Sequence, residues 1–269
     1  MTLKEISSLA ESKSESIEAT TILNKKMITK MATLNVVSLL IFGLSFLFMI
    51  QGYLTFTNST QKIVLIVLSG ILVVFSAVSL IFLNRPMVWS LAKQFKAFKW
   101  LDTLQFFIIS LLIVMHIMTF YVFTAEVFQS SMQPTLREHD RLVVYQFDYV
   151  PKRNDIVVIF MNSAHYIGAD DSLYVKRVVG LPGDTIIVNN LNQLIINGEM
   201  VQQLPMTNVQ NVKDLLEFLP NQTIQAGFYF VLGDNTANSH DSRNIGFIHQ
   251  EDIKAKVIFR FYPKVGIIE

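Results

Sequence analysis

Three long apolar runs, at residues 34–50, 63–83 and 106–125, constrain this chain more than any other feature. Each approaches or reaches the roughly 20 residues that cross a bilayer core as a helix. A removable leader is not expected, because the first run starts late and two more follow it. Phe and Tyr beyond Ile50 can lengthen the first run, and all three are read as transmembrane helices. The composition agrees: 51% of residues are hydrophobic and 16% charged, against roughly 25% charged in soluble proteins. A net charge of +1 gives no basic excess for nucleic acid. With no cysteine, disulfides, thiolate metal sites and a cysteine nucleophile are excluded.

Charge near the spans sets the expected orientation. Lys25, Lys26 and Lys30 precede the first run, and Arg85, Lys93, Lys96 and Lys99 lie between the second and third. The loop at 51–62 carries only Lys62. Positive residues beside spans stay on the cytoplasmic side, so the tail belongs inside and everything after Ala125 outside. Trp89, Phe95, Phe98 and Trp100, set among the lysines, suggest an amphipathic stretch in the interface, the plain alternative being a solvated basic loop. His116 in the third run is read as hydrogen-bonded to a neighbouring helix rather than as a functional ionisable group.

After Glu126 the texture changes. Short runs at 141–145, 155–160, 174–179, 185–188, 193–196, 228–232 and 257–261 are rich in Val, Ile and Tyr. Pro182-Gly183-Asp184, Asn197-Gly198 and Gly233-Asp234-Asn235 punctuate them, the pattern of a β-rich domain with tight turns. Residues 209–218 alone suggest a short helix. The expected architecture is three N-terminal transmembrane helices followed by a mainly-β extracytoplasmic domain with a small second β subdomain. Its expected parts are a cytoplasmic tail at 1–31, a membrane domain at 32–125 and the outer domain at 126–269.

Three segments of the outer domain carry candidate chemistry. Gln129-Ser130-Ser131-Met132-Gln133-Pro134-Thr135-Leu136 places a hydroxyl just beyond the third run, although Ser-Ser before Pro is also ordinary turn chemistry. Tyr174-Val175-Lys176-Arg177-Val178-Val179-Gly180-Leu181-Pro182-Gly183-Asp184 sets a lysine within an apolar strand. Side chains alternate along a strand, so Lys176 and Arg177 point to opposite faces and one must face a core or cleft. A desolvated lysine has a lowered pKa and can act as a general base; a snorkelling lysine on an edge strand is the competing reading. The third segment, residues 233–246, is longer than a simple turn. Asp241 and Arg243 are close enough to fix it by a charged pair, and Ser239 offers a hydroxyl to a neighbour. By itself it also reads as a polar loop.

Taken in order, these segments resemble the boxes of bacterial type I signal peptidases. Those read approximately Ser-x-Ser-Met-x-Pro-Thr-Leu, Lys-Arg-Val-Val-Gly-Leu-Pro-Gly-Asp, and Gly-Asp-Asn followed by Asn-Ser-x-Asp-Ser-Arg-x-x-Gly. A fourth, Arg-Gly-Asp-Ile-Val-Val, is echoed by Arg153-Asn154-Asp155-Ile156-Val157-Val158. The resemblance spans 126–264 and includes the preceding anchor. It implies a membrane-bound serine endopeptidase that removes N-terminal signal peptides from exported preproteins, cutting after small residues. Ser131 is then the nucleophile and Lys176 the general base, with Ser239 orienting the lysine and Asp241 and Arg243 holding its loop. Val127, Met132, Leu136, Tyr174 and Val175 are the implied pocket lining. A Ser–Lys dyad requires no metal or cofactor.

The implied partners are signal peptides and the lipid bilayer, with no nucleic acid, and the implied location is the plasma membrane, multi-pass, with the catalytic domain outside. Nothing in the sequence selects an oligomeric state. The chain departs from the boxes at Gln129, where Ser or Gly is usual, at Thr236 and Ala237, where a charged pair is usual, and at Asn154, where Gly is usual. Oxyanion support is accordingly assigned between Gln129 and Ser130. Two rivals remain: a self-cleaving Ser–Lys repressor, which would carry a DNA-binding domain where this chain has apolar runs, and a non-catalytic or dedicated assembly factor for surface structures.

Overall fold

The computed structural model describes residues 1–12, 16–50, 59–83, 89–162, 164–166, 171–204 and 206–268. Most of the loop expected at 51–62, the extension of the first span beyond Ile50, and Arg85 lie outside the described residues. The chain divides into two compact units, Met1–Phe120 and Tyr121–Glu269.

The first unit is helical: α1 (Leu3–Glu11), α2 (Ile17–Ile50), α3 (Ser59–Leu83) and α4 (Leu91–Phe120). Three of these helices are long and apolar enough to cross a membrane. Thr2 starts α1 with a capping box: its Oγ1 accepts from Glu5 N at 3.3 Å, while the Glu5 carboxylate accepts from Thr2 N at 2.8 Å. The helices are joined by buried polar contacts as well as apolar ones, as lipid-facing bundles require. Asn35 Nδ2 donates to Ser76 Oγ at 2.9 Å and to Val73 O at 3.0 Å. Ser45 Oγ and His116 Nδ1 lie 3.1 Å apart, so His116 bonds a neighbouring helix as its sequence context suggested.

Two boundaries differ from expectation. The lysine-rich tail is not separate from the first span, since α2 begins at Ile17 and runs through Lys25, Lys26 and Lys30. The aromatic stretch before the third span is the beginning of α4 itself; no Gly or Pro interrupts residues 91–120. Leu91 and Phe98 on this stretch are buried with Ile6, Ala10, Ala19, Leu23 and Met27, while Trp89 and Trp100 are exposed. Packing against α1 and α2 thus covers one side of the expected interface segment.

The second unit begins at 121 rather than 126. Helix α4 ends at Phe120, and Val122–Glu126 forms β1, paired antiparallel with β2 (Arg141–Tyr145) from Val122 opposite Tyr145 to Glu126 opposite Arg141. Pairing satisfies backbone groups that the apolar pattern alone had assigned to a helix. The remaining strands are β3 (Ile156–Met161), β4 (Ser172–Gly180), β5 (Ile186–Val188), β6 (Gln193–Ile196) and β7 (Glu199–Gln203). Helix α5 (Met206–Glu217), β8 (Phe228–Leu232), short α6 (Ser242–Ile245), β9 (Ile248–His249), β10 (Ile253–Tyr262) and β11 (Gly266–Ile267) follow. The large antiparallel sheet runs β1-β2-β10-β3-β4-β8-β9, with β11 on β10, and β5-β6-β7 form the small second sheet.

Alternation divides the core. Ile156, Val158 and Val175 pack on one side with Leu142, Val144, Ala255 and Val257. Val157, Ile159 and Val178 pack on the other with Tyr229 and Val231. Phe230 and Leu232, the alternate residues of β8, join the small sheet and α5 in a third cluster with Ile186, Leu194 and Ile196. Strand β8 is therefore buried on both faces, which explains its unbroken apolar sequence. Gly180 sits where these layers meet: a Cβ there would lie 2.6 Å from Ile224 Cδ1 and 2.9 Å from Phe230 Cβ.

Candidate active site

The turn carrying Ser131 is anchored from below. Met132 and Leu136 are buried in the same cluster as Val127, and Gln133 N donates to Ser130 O at 3.1 Å, closing the turn. Asp140, itself buried, accepts from Arg137 N at 2.9 Å and from Arg260 Nη1 at 3.0 Å. Arg260 also donates to Thr135 O at 3.3 Å, tying β10 to the turn. With its flanking apolar side chains in the core, Ser131 is left half-buried.

Lys176 faces this serine. It lies on β4 opposite Val157 and is only 3% exposed. Its Nζ donates to Ser131 Oγ at 2.8 Å and to Val175 O at 3.0 Å, and sits 5.1 Å from the centre of the Tyr174 ring. Burial lowers its pKa from 10.5 to about 8; the Asp241 carboxylate pulls it back up and the Arg243 guanidinium pushes it down. Arg177 points to the other face. Its Nε and Nη2 each bind a carboxylate oxygen of Asp234 at 2.9 Å, and its Nη1 donates to Asn154 O at 2.9 Å. The alternation expected for the two basic residues is thus observed, with the lysine in the cleft.

The loop after β8 packs against both. Asp241 and Arg243 are buried and paired through Nε–Oδ1 and Nη2–Oδ2 contacts of 2.8 Å. The same carboxylate accepts from Gly233 N at 2.9 Å, and Arg243 Nη1 donates to Thr236 O at 2.8 Å. A Cβ at Gly233 would stand 2.6 Å from Ser131 O and 2.5 Å from Ser239 Cβ, so only glycine permits this approach. Ser239 Oγ is buried and has no hydrogen-bond partner among the described residues; no hydrogen bond links it to Lys176.

Asn235 N donates to Ser131 O at 2.9 Å and Asn235 Nδ2 to Ser130 O at 3.0 Å. Asn238 Nδ2 donates to Ser130 Oγ at 2.8 Å. Gln129 is exposed, with a positive φ of 79°.

Of the implied pocket residues, Val127, Met132, Leu136 and Val175 share one apolar cluster, whereas Tyr174 packs into the one across the sheet. Asp140, Arg260, Asp234, Asn235 and Asn238 have site contacts that the sequence did not single out. Gly233-Asp234-Asn235 was legible as a turn and as part of a box, but the contacts of Asn235 were not, because its partners are distant in sequence. Away from this cleft, ligand-type atoms of His165, Glu251 and Asp252 lie within 4.8 Å of one another. Asp252 there already accepts from Tyr166 OH at 2.7 Å and lies 2.9 Å from His165 Nδ1.

The family model for signal peptidase, peptidase S26, matches residues 100–262. This chain belongs to that family. As a peptidase S26 member it is a peptidase, and Ser131, Lys176 and the loop at 233–243 all fall within the match. It is 31% identical over 174 residues to a probable signal peptidase I-2 of Synechocystis sp., covering 63% of this chain and 77% of that protein. It is 35% identical over 174 residues to signal peptidase IB of Staphylococcus aureus, covering 58% of this chain and 84% of that one. A solved signal peptidase I from Enterococcus faecalis matches at 27% identity, over 40% of this chain and 97% of that chain, with a TM-score of 0.29.

Proposed function

We propose that this peptidase is a membrane-bound signal peptidase that cuts exported preproteins after small residues, with Ser131 as nucleophile and Lys176 as general base. The observation that carries the reading is the 2.8 Å contact between Lys176 Nζ and Ser131 Oγ, made by a buried lysine whose pKa is about 8. At that pKa a usable fraction of the amine is neutral near physiological pH, which is what a general base requires. The neutral amine accepts the Ser131 hydroxyl proton as Oγ bonds to the scissile carbonyl carbon. The resulting ammonium gives that proton to the leaving amine, and water, deprotonated by the same lysine, then hydrolyses the acyl ester.

Strand β4 offers a place for substrate. β3 pairs with it from Ser172 to Arg177, whereas β8 pairs only from Arg177 to Gly180. Among the described strands, none carries the β8-side pairing along β4 ahead of Arg177, directly beside the base. An extended preprotein segment added there gains backbone hydrogen bonds and presents alternate side chains to the enzyme. Val127, Met132 and Leu136 already fill the space beneath the turn, which favours small substrate residues near the cut.

The lysines at the start of α2 and among the first residues of α4 support an inside N-terminus, three spans and an extracytoplasmic catalytic unit. The reading is tested by incubating the full-length protein in detergent with a preprotein and identifying the products by mass. Wild type is expected to release the intact signal peptide and Ser131→Ala to release none. Equal cleavage by the two proteins would overturn the assignment.

A further inference from the structure

We propose that Asn235 is a positioning residue that aims the Ser131 backbone N–H at the oxygen gaining charge during acyl transfer. The inference rests on Ser131 being the nucleophile and deepens that reading by assigning what orients one oxyanion donor. A trans peptide is planar, so the C=O of Ser130 and the N–H of Ser131 point in opposite directions. Whatever holds the Ser130 oxygen therefore sets the direction of the Ser131 N–H. Two donors hold it: Gln133 N at 3.1 Å and Asn235 Nδ2 at 3.0 Å. The Ser131 N–H itself has no hydrogen-bond partner among the described residues.

The two donors do different work. Gln133 belongs to the same turn and moves with it, so its bond fixes the shape of the turn and not its aim. Asn235 belongs to a separate loop, and its own N–H also holds Ser131 O at 2.9 Å. Its neighbour Asp234 is bound by two 2.9 Å contacts to Arg177, the residue after Lys176 on β4. The dipeptide Asp234-Asn235 thus connects the strand of the base to the peptide of the nucleophile. Gly233, just before it, permits the approach, since a side chain there would meet Ser131 O.

A preorganised donor stabilises the tetrahedral oxygen without reorganisation at the moment of reaction, and losing one costs about 100- to 1,000-fold in rate. Misdirecting one should cost at least about tenfold, in kcat rather than KM, because the interaction matures only in the transition state. The test compares wild type, Asn235→Ala, the shape-keeping Asn235→Leu, and Ser131→Ala, each as full-length protein in detergent. The substrate is a quenched peptide with Ala one and three residues before the cut.

A peptide aldehyde of the same sequence serves as the second probe, beside its matched amide. The aldehyde carbon bonds Ser131 Oγ reversibly, the hydroxyl proton passes to Lys176 Nζ and the carbonyl π electrons move to the aldehyde oxygen, so the binding advantage over the amide reports oxyanion stabilisation. Because the advantage is a ratio of two affinities, a loss of folded protein does not alter it.

Both Asn235 variants are expected to lose at least about tenfold in kcat and in aldehyde preference, with KM changed by less than about threefold and the pH midpoint near 8 unmoved. Wild-type kcat and aldehyde preference in both variants, with Ser131→Ala inactive, would refute the positioning role while leaving the dyad standing. Cleavage by Ser131→Ala at the wild-type rate would instead remove the reading on which the proposal rests.

Discussion

At Lys176, activity and stability pull in opposite directions. Burial holds its pKa near 8 against an ordinary 10.5, so between those values the unfolded chain binds the extra proton. Stability therefore rises with pH across that window, and below pH 8 burying the ammonium costs about 3 kcal/mol. Lys176→Met, which removes that cost, is expected to abolish cleavage yet raise the melting temperature at pH 7, the gain shrinking as pH approaches 10.5. A calorimetric series showing no gain would contradict the buried-charge account. In wild type, kcat should climb through a midpoint near pH 8; a flat profile with chemistry rate-limiting would remove Lys176 as base.

Ser130 and Gln129 separate at the same scale. Extended alternation would have sent them to opposite sides, but the positive φ of Gln129 breaks that alternation and leaves its side chain exposed. Ser130 Oγ, by contrast, is held by Asn238 Nδ2 at 2.8 Å. Preorganisation favours the serine, so Ser130→Ala should lower kcat by about tenfold or more and Gln129→Ala by less. The reverse order in single-turnover kinetics would return the oxyanion role to Gln129.

Among elements, the loop from β8 to α6 does the most to shape the site. Its buried Asp241–Arg243 pair receives Gly233 N and reaches Thr236 O, fixing the backbone on which Asn235 and Asn238 are carried. Breaking a buried pair by removing one partner typically costs 3–5 kcal/mol. Arg243→Ala should therefore lower the melting temperature by about 6–20 °C for a unit of this size. Scanning calorimetry that finds a change under about 2 °C would show the pair to be dispensable.

Gly233→Ala is expected to act differently. Its Cβ would press on Ser131 O at 2.6 Å and displace the proposed nucleophile, so activity should fall at least about tenfold. Wild-type activity in that variant would mean the turn can yield without loss of alignment.

For the whole molecule, the sign of the loops makes a prediction about sidedness. Protease added to intact, wall-less cells should digest the chain after Glu126 and spare the lysine-bearing N-terminal tail. Protection of residues 121–269 under those conditions would reverse the assigned orientation.

The sequence by itself determined the apolar spans, the change to a β domain near residue 126, most of the inner strands and the identity of Ser131 and Lys176 as candidates. Those features are local: a span is a run of apolar residues, a strand an alternating or buried run, and a box a short string. The folded chain decided the rest. Val122–Glu126 became a strand because β2 lies alongside it, and β7, β9 and β11 form short pairings that leave little pattern in sequence. Only tertiary packing brought Lys176 within 2.8 Å of Ser131, left Ser239 Oγ with no hydrogen-bond partner among the described residues, and set Asn235 against the Ser130–Ser131 peptide. The physical reason is that a hydrogen bond between residues far apart in sequence is specified by where separate strands and loops meet, which no local run of residues encodes.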